Sequence, residues 1–101
     1  MEKYSCIIPF YNEEKTGMNS LREISKIKEI EKVVCVDDGS TDNSYKIIKN
    51  KYPDFELVRL KKNKGKTEAI RRGINEIKTE YVVLIDADLK NIKKEEIEKE
   101  I

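Results

Sequence analysis

KVVCVDDGSTDNS, residues 32–44, is the stretch that decides the fold. Val33 to Val36 form an unbroken apolar run, mostly β-branched, that ends in two aspartates. A strand covered on one face alternates apolar and polar residues. An unbroken run is what a strand covered on both faces requires, and parallel sheets sandwiched by helices provide that cover. The residues that follow change the chain's direction. Gly39 permits a sharp turn, and Ser40 or Thr41 can cap a helix that carries Tyr45, Ile48 and Tyr52 on one face until Pro53 stops it.

The same grammar extends to both sides. YSCIIPF (4–10) is an apolar run closed by Pro9 and reads as a buried strand. Met18, Leu21 and Ile24 recur every three residues, which gives a short helix ending near Ile27. FELVRL (55–60) alternates as a strand, and KKNKG is a polar turn. Residues 66–78 form a helix with Ala69, Ile70, Gly73, Ile74 and Ile77 turned inward. YVVLID (81–86) is a fourth strand expected to be buried, and KKEEIEKEI begins a last helix. The order β-α-β-α-β-α-β-α implies an α/β fold: a Rossmann-like open, mainly parallel sheet with alternating helices and right-handed crossovers. One domain over residues 1–101 accommodates all of it. Ligands of such sheets bind beyond the C-terminal ends of the strands. The polar motifs PFYNEE, DDGSTD, KNKGK and DADL all follow strand ends.

Composition narrows the function classes. The chain has 101 residues, 38% hydrophobic and 41% charged, with a net charge of +1. Both signs are interspersed, which argues against nucleic-acid binding through bulk charge. No apolar run approaches the ~18 residues of a membrane span, and the N-terminal apolar stretch is too short for a signal peptide. Cys6 and Cys35 each sit inside an apolar run, as small buried side chains in a reducing compartment do. Histidine is absent, as is any CxxC pair, so a zinc site is not expected.

Asp86 and Asp88 carry the most chemistry. Residues two apart in an extended segment point the same way, so both carboxylates can face one point. Like charges that close repel unless a cation or hydrogen-bond donors offset them. Hard oxygen ligands suit Mg²⁺ or Mn²⁺, which take one or two carboxylates plus substrate phosphates. A DxD by itself is equally a solvated turn. In VDDGS, Asp37 and Asp38 are adjacent, so at most one of them faces the site. GKT at 65–67 imitates a phosphate loop, but the first glycine of that pattern would fall on Leu60, and the segment follows the third strand. What remains there is a glycine turn whose Lys64 and Lys66 can hold an anion. Tyr11 and Glu13 stand where an aromatic face and a carboxylate can meet a base or ribose.

Taken together and in order, CIIPFYNEE, VVCVDDGSTDNS, NKGKTEAIRRGI and YVVLIDADL resemble the nucleotide-binding half of family 2 glycosyltransferases of the GT-A fold. The likeness runs from Ser5 to about Ile97 and is greatest to polyprenol-phosphate sugar transferase-like members. It implies a nucleotide-diphosphate sugar donor, a divalent metal (Mg²⁺ or Mn²⁺) and transfer to a saccharide or lipid-phosphate acceptor with inversion. By the same resemblance, Pro9, Tyr11 and Glu13 line the nucleotide pocket, and Asp38, or else Asp37, recognises the base or ribose. Asn63, Gly65 and Lys66 border the nucleotide, Asp88 binds the metal, and Asp86 binds the sugar nucleotide or metal. A cytoplasmic setting follows, at the membrane face in a longer parent. Family members continue past the DxD element to the acceptor site and catalytic base, so the resemblance implies a chain shortened after that element, with no base of its own. The alternative is a donor-binding remnant without transfer activity. A haloacid-dehalogenase-type phosphotransferase would place DxD on the first strand, and a receiver module would place its acidic pair there too; here these motifs follow the fourth and second strands.

Overall fold

In a computed structural model, residues 3–16 and 18–87 are described. Four strands form one parallel sheet: β1 (Tyr4–Phe10), β2 (Ile30–Asp37), β3 (Glu56–Arg59) and β4 (Tyr81–Leu84), in the spatial order β3-β2-β1-β4. Between them lie α1 (Asn19–Ile24), α2 (Ser44–Lys51) and α3 (Lys66–Ile74). The expected fold class is therefore present. The last expected helix and Asp88 lie outside the described residues.

The sheet separates two cores, and strand alternation assigns residues to them. Cys6, Ile8, Phe10, Val33 and Cys35 pack against Leu21 and Ile24 of α1 and Ile48 of α2. Ile7, Val34 and Val36 point the other way, toward Ala69 of α3. This two-sided cover is why β2 reads as an unbroken apolar run. At Gly73, an added Cβ would stand 2.9 Å from Ile7 Cγ2 and 3.1 Å from Val36 Cγ2, so the missing side chain lets α3 lie close on the sheet.

Three expectations need correction. Ile74 is exposed rather than inward, and β4 is not a buried strand: Val82 and Leu84 are exposed. Val82 and Leu84 are level with Ser5 and Ile7 on β1, so they face the α3 side at the sheet's edge, beyond the reach of α3. Ser40 and Thr41 do not cap α2. That helix begins at Ser44, where the N-cap residue Asn43 makes no side-chain cap bond, and both residues bond to the loop after β1 instead.

Burial pushes the Cys6 thiol up to about 12, and burial together with the neighbouring Cys6 raises Cys35 as well. Thiolate is the reactive form, so neither thiol should be alkylated at pH 8 in the folded chain. Iodoacetamide labelling followed by mass spectrometry should show no adduct in buffer and two adducts in denaturant. Rapid labelling in buffer would contradict the packing of this core.

Candidate functional site

The first crossovers run from β1 toward β2 and β3, and the next returns past β1 to β4. The chain thus reverses direction between β1 and β4, where an open α/β sheet leaves a crevice at its C-terminal edge. Pro9 sets where that crevice opens. Ile7 faces β4, its carbonyl accepting the Ile85 N–H at 3.1 Å, while Phe10 faces β2, its carbonyl accepting the Asp38 N–H at 2.9 Å. By the alternation of the ladder the Pro9 nitrogen also faces β4, and it has no hydrogen to give. The pairing of β1 with β4 ends at Ile7 and Leu84.

An open cavity of about 370 Å³ begins there, lined by Pro9, Phe10, Tyr11, Glu13, Asp38, Asn63, Gly65, Lys66, Asp86 and Ala87. That volume lies within the ordinary range of small-molecule sites. The cavity gathers residues from behind β1, β2 and β4 and from the start of α3. Of the expected site residues, Pro9, Tyr11, Glu13, Asp38, Asn63, Gly65, Lys66 and Asp86 meet here.

Asp37 does not. Its side chain is fully buried, with Oδ1 accepting the Ser40 N–H at 2.7 Å and Oδ2 lying 3.5 Å from Arg59 Nε. Alternation explains the split. Asp37 falls on the face of Cys35, level with Arg59 of β3, whose guanidinium lies 4.5 Å from the centre of the Tyr45 ring on α2. Asp38 falls on the opposite face, where the loop before α3 arrives. Of the two aspartates, Asp38 lines the cavity and Asp37 does not.

Asp38 is 4% exposed, and its two carboxylate oxygens accept the backbone N–H groups of Lys64 at 2.8 Å and Gly65 at 2.9 Å. Next to it, Gly39 (φ +78°) lies so near the same loop that a Cβ would stand 2.5 Å from Asn63 N and from Lys62 C. The turn after β2 and the loop before α3 are thereby one unit.

A second set of bonds joins the loop after β1 to the segment before α2, and the sequence reading missed it. The Asn12 N–H donates to Ser40 Oγ at 2.9 Å and the Glu13 N–H to Ser44 Oγ at 2.8 Å. In return Asn12 Oδ1 accepts the Thr41 N–H at 2.8 Å, and Glu14 Oε1 accepts the Asn43 N–H at 2.9 Å. Asn12 adopts a left-handed φ of 50° to do this, a conformation asparagine tolerates better than most residues. That tolerance is the signal by which it could have been found. Partial desolvation works against the Asp42 carboxylate and raises its pKa, but hydrogen bonds from Ser44 and from the Glu14 amide hold that pKa below its ordinary value.

At the opposite wall, the Lys66 ammonium, on the first residue of α3, pairs with Asp86 Oδ1. Asp86 remains about half exposed. Among the described residues, no group of three or more acidic, histidine or cysteine side chains gathers to hold a metal.

Comparison with known proteins now bears on this cavity. The model for Glycosyl transferase family 2 matches residues 5–100. The chain belongs to this family. Poly-beta-1,6-N-acetyl-D-glucosamine synthase of Staphylococcus epidermidis is 36% identical to it over 91 residues, which is 87% of this chain and 22% of that protein. The Staphylococcus aureus synthase is 34% identical over 93 residues. The chain thus spans about a fifth of the length of these curated relatives. Among solved structures, S. aureus TarS 1-349 in complex with UDP-GlcNAc superposes with a TM-score of 0.80 and 28% identity, covering 97% of this chain and 30% of that one. Glucosyl-3-phosphoglycerate synthase from Mycobacterium tuberculosis, in complex with Mn²⁺, UDP and glucosyl-3-phosphoglycerate, superposes with a TM-score of 0.78 and 26% identity, covering 92% and 36%. The fold is the Rossmann-like glycosyltransferase architecture, and no helix among the described residues is long and apolar enough to cross a membrane.

Proposed function

We propose that this chain binds a uridine-diphosphate sugar for transfer to an acceptor hydroxyl or phosphate on a saccharide or lipid. One observation carries the reading: the cavity at the β1–β4 crevice is built from all four segments that resemble the family. The solved neighbours in complex with UDP and UDP-GlcNAc support uracil as the base.

The roles follow from position. Tyr11, 42% exposed at the cavity, offers a ring face to the base. Asp38, buried and held by two backbone N–H groups, is a fixed acceptor for a base or ribose donor. Gly65 and Lys66 border the diphosphate, with the ammonium supplying charge. Asp86 faces the same space with a hard oxygen donor whose charge is already paired with the Lys66 ammonium. That donor set fits Mg²⁺ or Mn²⁺, with Asp88, the diphosphate and water completing the ligands. When bound, such an ion supplies charge neutralisation for the departing nucleotide. The neighbour in complex with Mn²⁺ and UDP supports that assignment.

Calorimetric titration with UDP, UDP-GlcNAc and GDP, with and without Mn²⁺, tests the proposal. UDP and UDP-GlcNAc should bind, roughly tenfold more tightly with Mn²⁺ (about 1.4 kcal/mol), and GDP should bind less tightly than UDP. Failure of all three to bind a chain shown to be folded would sink the donor-site reading.

A further inference from the structure

The three carboxylates that line the cavity are not in the same state. Asp38 is satisfied by the Lys64 and Gly65 amides. Glu13 Oε2 accepts the Thr16 hydroxyl at 2.6 Å. Asp86 is held by a mobile type of partner, the ammonium at the end of a four-carbon stem, and that partner is Lys66. Lys66 and Asp86 lie twenty positions apart in sequence and on different elements, so their meeting is set by the fold rather than by local chain geometry.

The geometry points to Lys66 as a tethered cation that occupies the metal position of the acidic wall until donor and metal arrive. This inference rests on the proposed donor site and adds an exchange to it. A divalent ion approaching Asp86 meets a carboxylate whose Oδ1 already pairs with a positive charge, so ion and ammonium compete for it. The released ammonium stays anchored at the first turn of α3, next to Gly65 and inside the same cavity, where the diphosphate is the available anion. Metal binding and diphosphate binding are then coupled through one side chain. The metal frees Lys66, and the diphosphate gives the freed ammonium its new partner. Lysine suits this role better than arginine would, because its compact charge on a flexible stem makes no bidentate clamp on the carboxylate.

Two titrations of the whole chain, on wild type, Lys66→Met and Lys66→Arg, test the exchange. The first uses Mn²⁺ alone, followed by the electron paramagnetic resonance of the free ion. The second uses UDP in EDTA, followed by calorimetry. Lys66 is exposed, so the methionine variant should fold as wild type does. Removing an adjacent cation typically changes cation affinity by one or more powers of ten at buried sites and by less where solvent screens. Lys66→Met should therefore bind Mn²⁺ roughly threefold to tenfold more tightly than wild type. In the same variant the unneutralised Asp86 faces the diphosphate, so UDP without metal should bind about tenfold less tightly, and Lys66→Arg, whose fork can clamp Asp86, should bind Mn²⁺ less tightly than wild type. These opposite signs in one variant are what a merely structural lysine would not produce. Mn²⁺ affinity in Lys66→Met that is unchanged or lower, or no Mn²⁺ binding by any variant at millimolar concentration, overturns the inference. If wild type fails to bind UDP even with Mn²⁺, the donor-site reading falls, while the nucleotide-free Mn²⁺ titration still decides for or against Lys66.

Discussion

Gly39→Ala is expected to destabilise the chain by about 3 kcal/mol or more, a large share of the roughly 5–15 kcal/mol that holds a domain of this size. Two effects add. The residue has a φ of +78°, a conformation that costs a side-chain-bearing residue about 1–3 kcal/mol. The new Cβ would also stand 2.5 Å from two backbone atoms of Lys62 and Asn63, a distance no rotamer relieves. The loop must move away, and with it go the two N–H groups on Asp38. Gly65 supplies the control. Its φ is +99°, yet an added Cβ meets nothing within 4 Å, so Gly65→Ala should cost about 1–3 kcal/mol from backbone strain alone. Urea unfolding followed by far-ultraviolet circular dichroism measures both. Equal losses for the two substitutions would mean that the close approach at Gly39 is not rigid.

The two glycines also mark how far the sequence could be read. GSTD announced a turn, and that required only local chemistry. What Gly39 abuts is a loop more than twenty residues away, and no local pattern encodes that distance. The same limit runs through the fold. The strands of the central pair were legible because burial on both faces leaves an unbroken apolar run. The edge position of β4 was not, because YVVL has the composition of a covered strand although Val82 and Leu84 are exposed among the described residues. Ile74 failed for the same reason: helical spacing assigns a stripe, but not how far the sheet beneath it extends.

In the candidate site, the types of residue and their strand-end positions could be read, while their hydrogen-bond partners could not. Ser40 and Thr41 have the side chains of helix caps, but Asn12 offers them long-range bonds that the local helix start does not match. The choice between Asp37 and Asp38 turns on parity along β2. A strand shows that adjacent residues face opposite ways, and only packing shows which way is which. Arg59 on β3 and Tyr45 on α2 take the side of Asp37, and the loop before α3 takes the side of Asp38.

Asp38 is accordingly the residue whose loss should most reduce donor binding. Asp38→Asn keeps the size of the side chain but replaces one acceptor oxygen with a donor NH₂. Both carboxylate oxygens accept backbone N–H groups in the folded chain, so the amide must face one of those donors with another donor. Hydrogen bonds to a charged group contribute roughly 1.5–3 kcal/mol each, and an unsatisfied buried donor costs about 1–3 kcal/mol more. The loop carrying Lys64, Gly65 and Lys66 loses its anchor, and the base loses its acceptor. UDP affinity should fall roughly 100-fold, about 2.7 kcal/mol, and by a similar factor with and without Mn²⁺, because neither loss involves the metal. Asp86→Ala should behave differently. Its loss should appear in the titration that contains Mn²⁺ and be small in the one that does not. A wild-type-like UDP affinity in Asp38→Asn, beside a large loss in Asp86→Ala in both titrations, would move donor recognition away from the turn after β2 and onto the β4 side of the crevice.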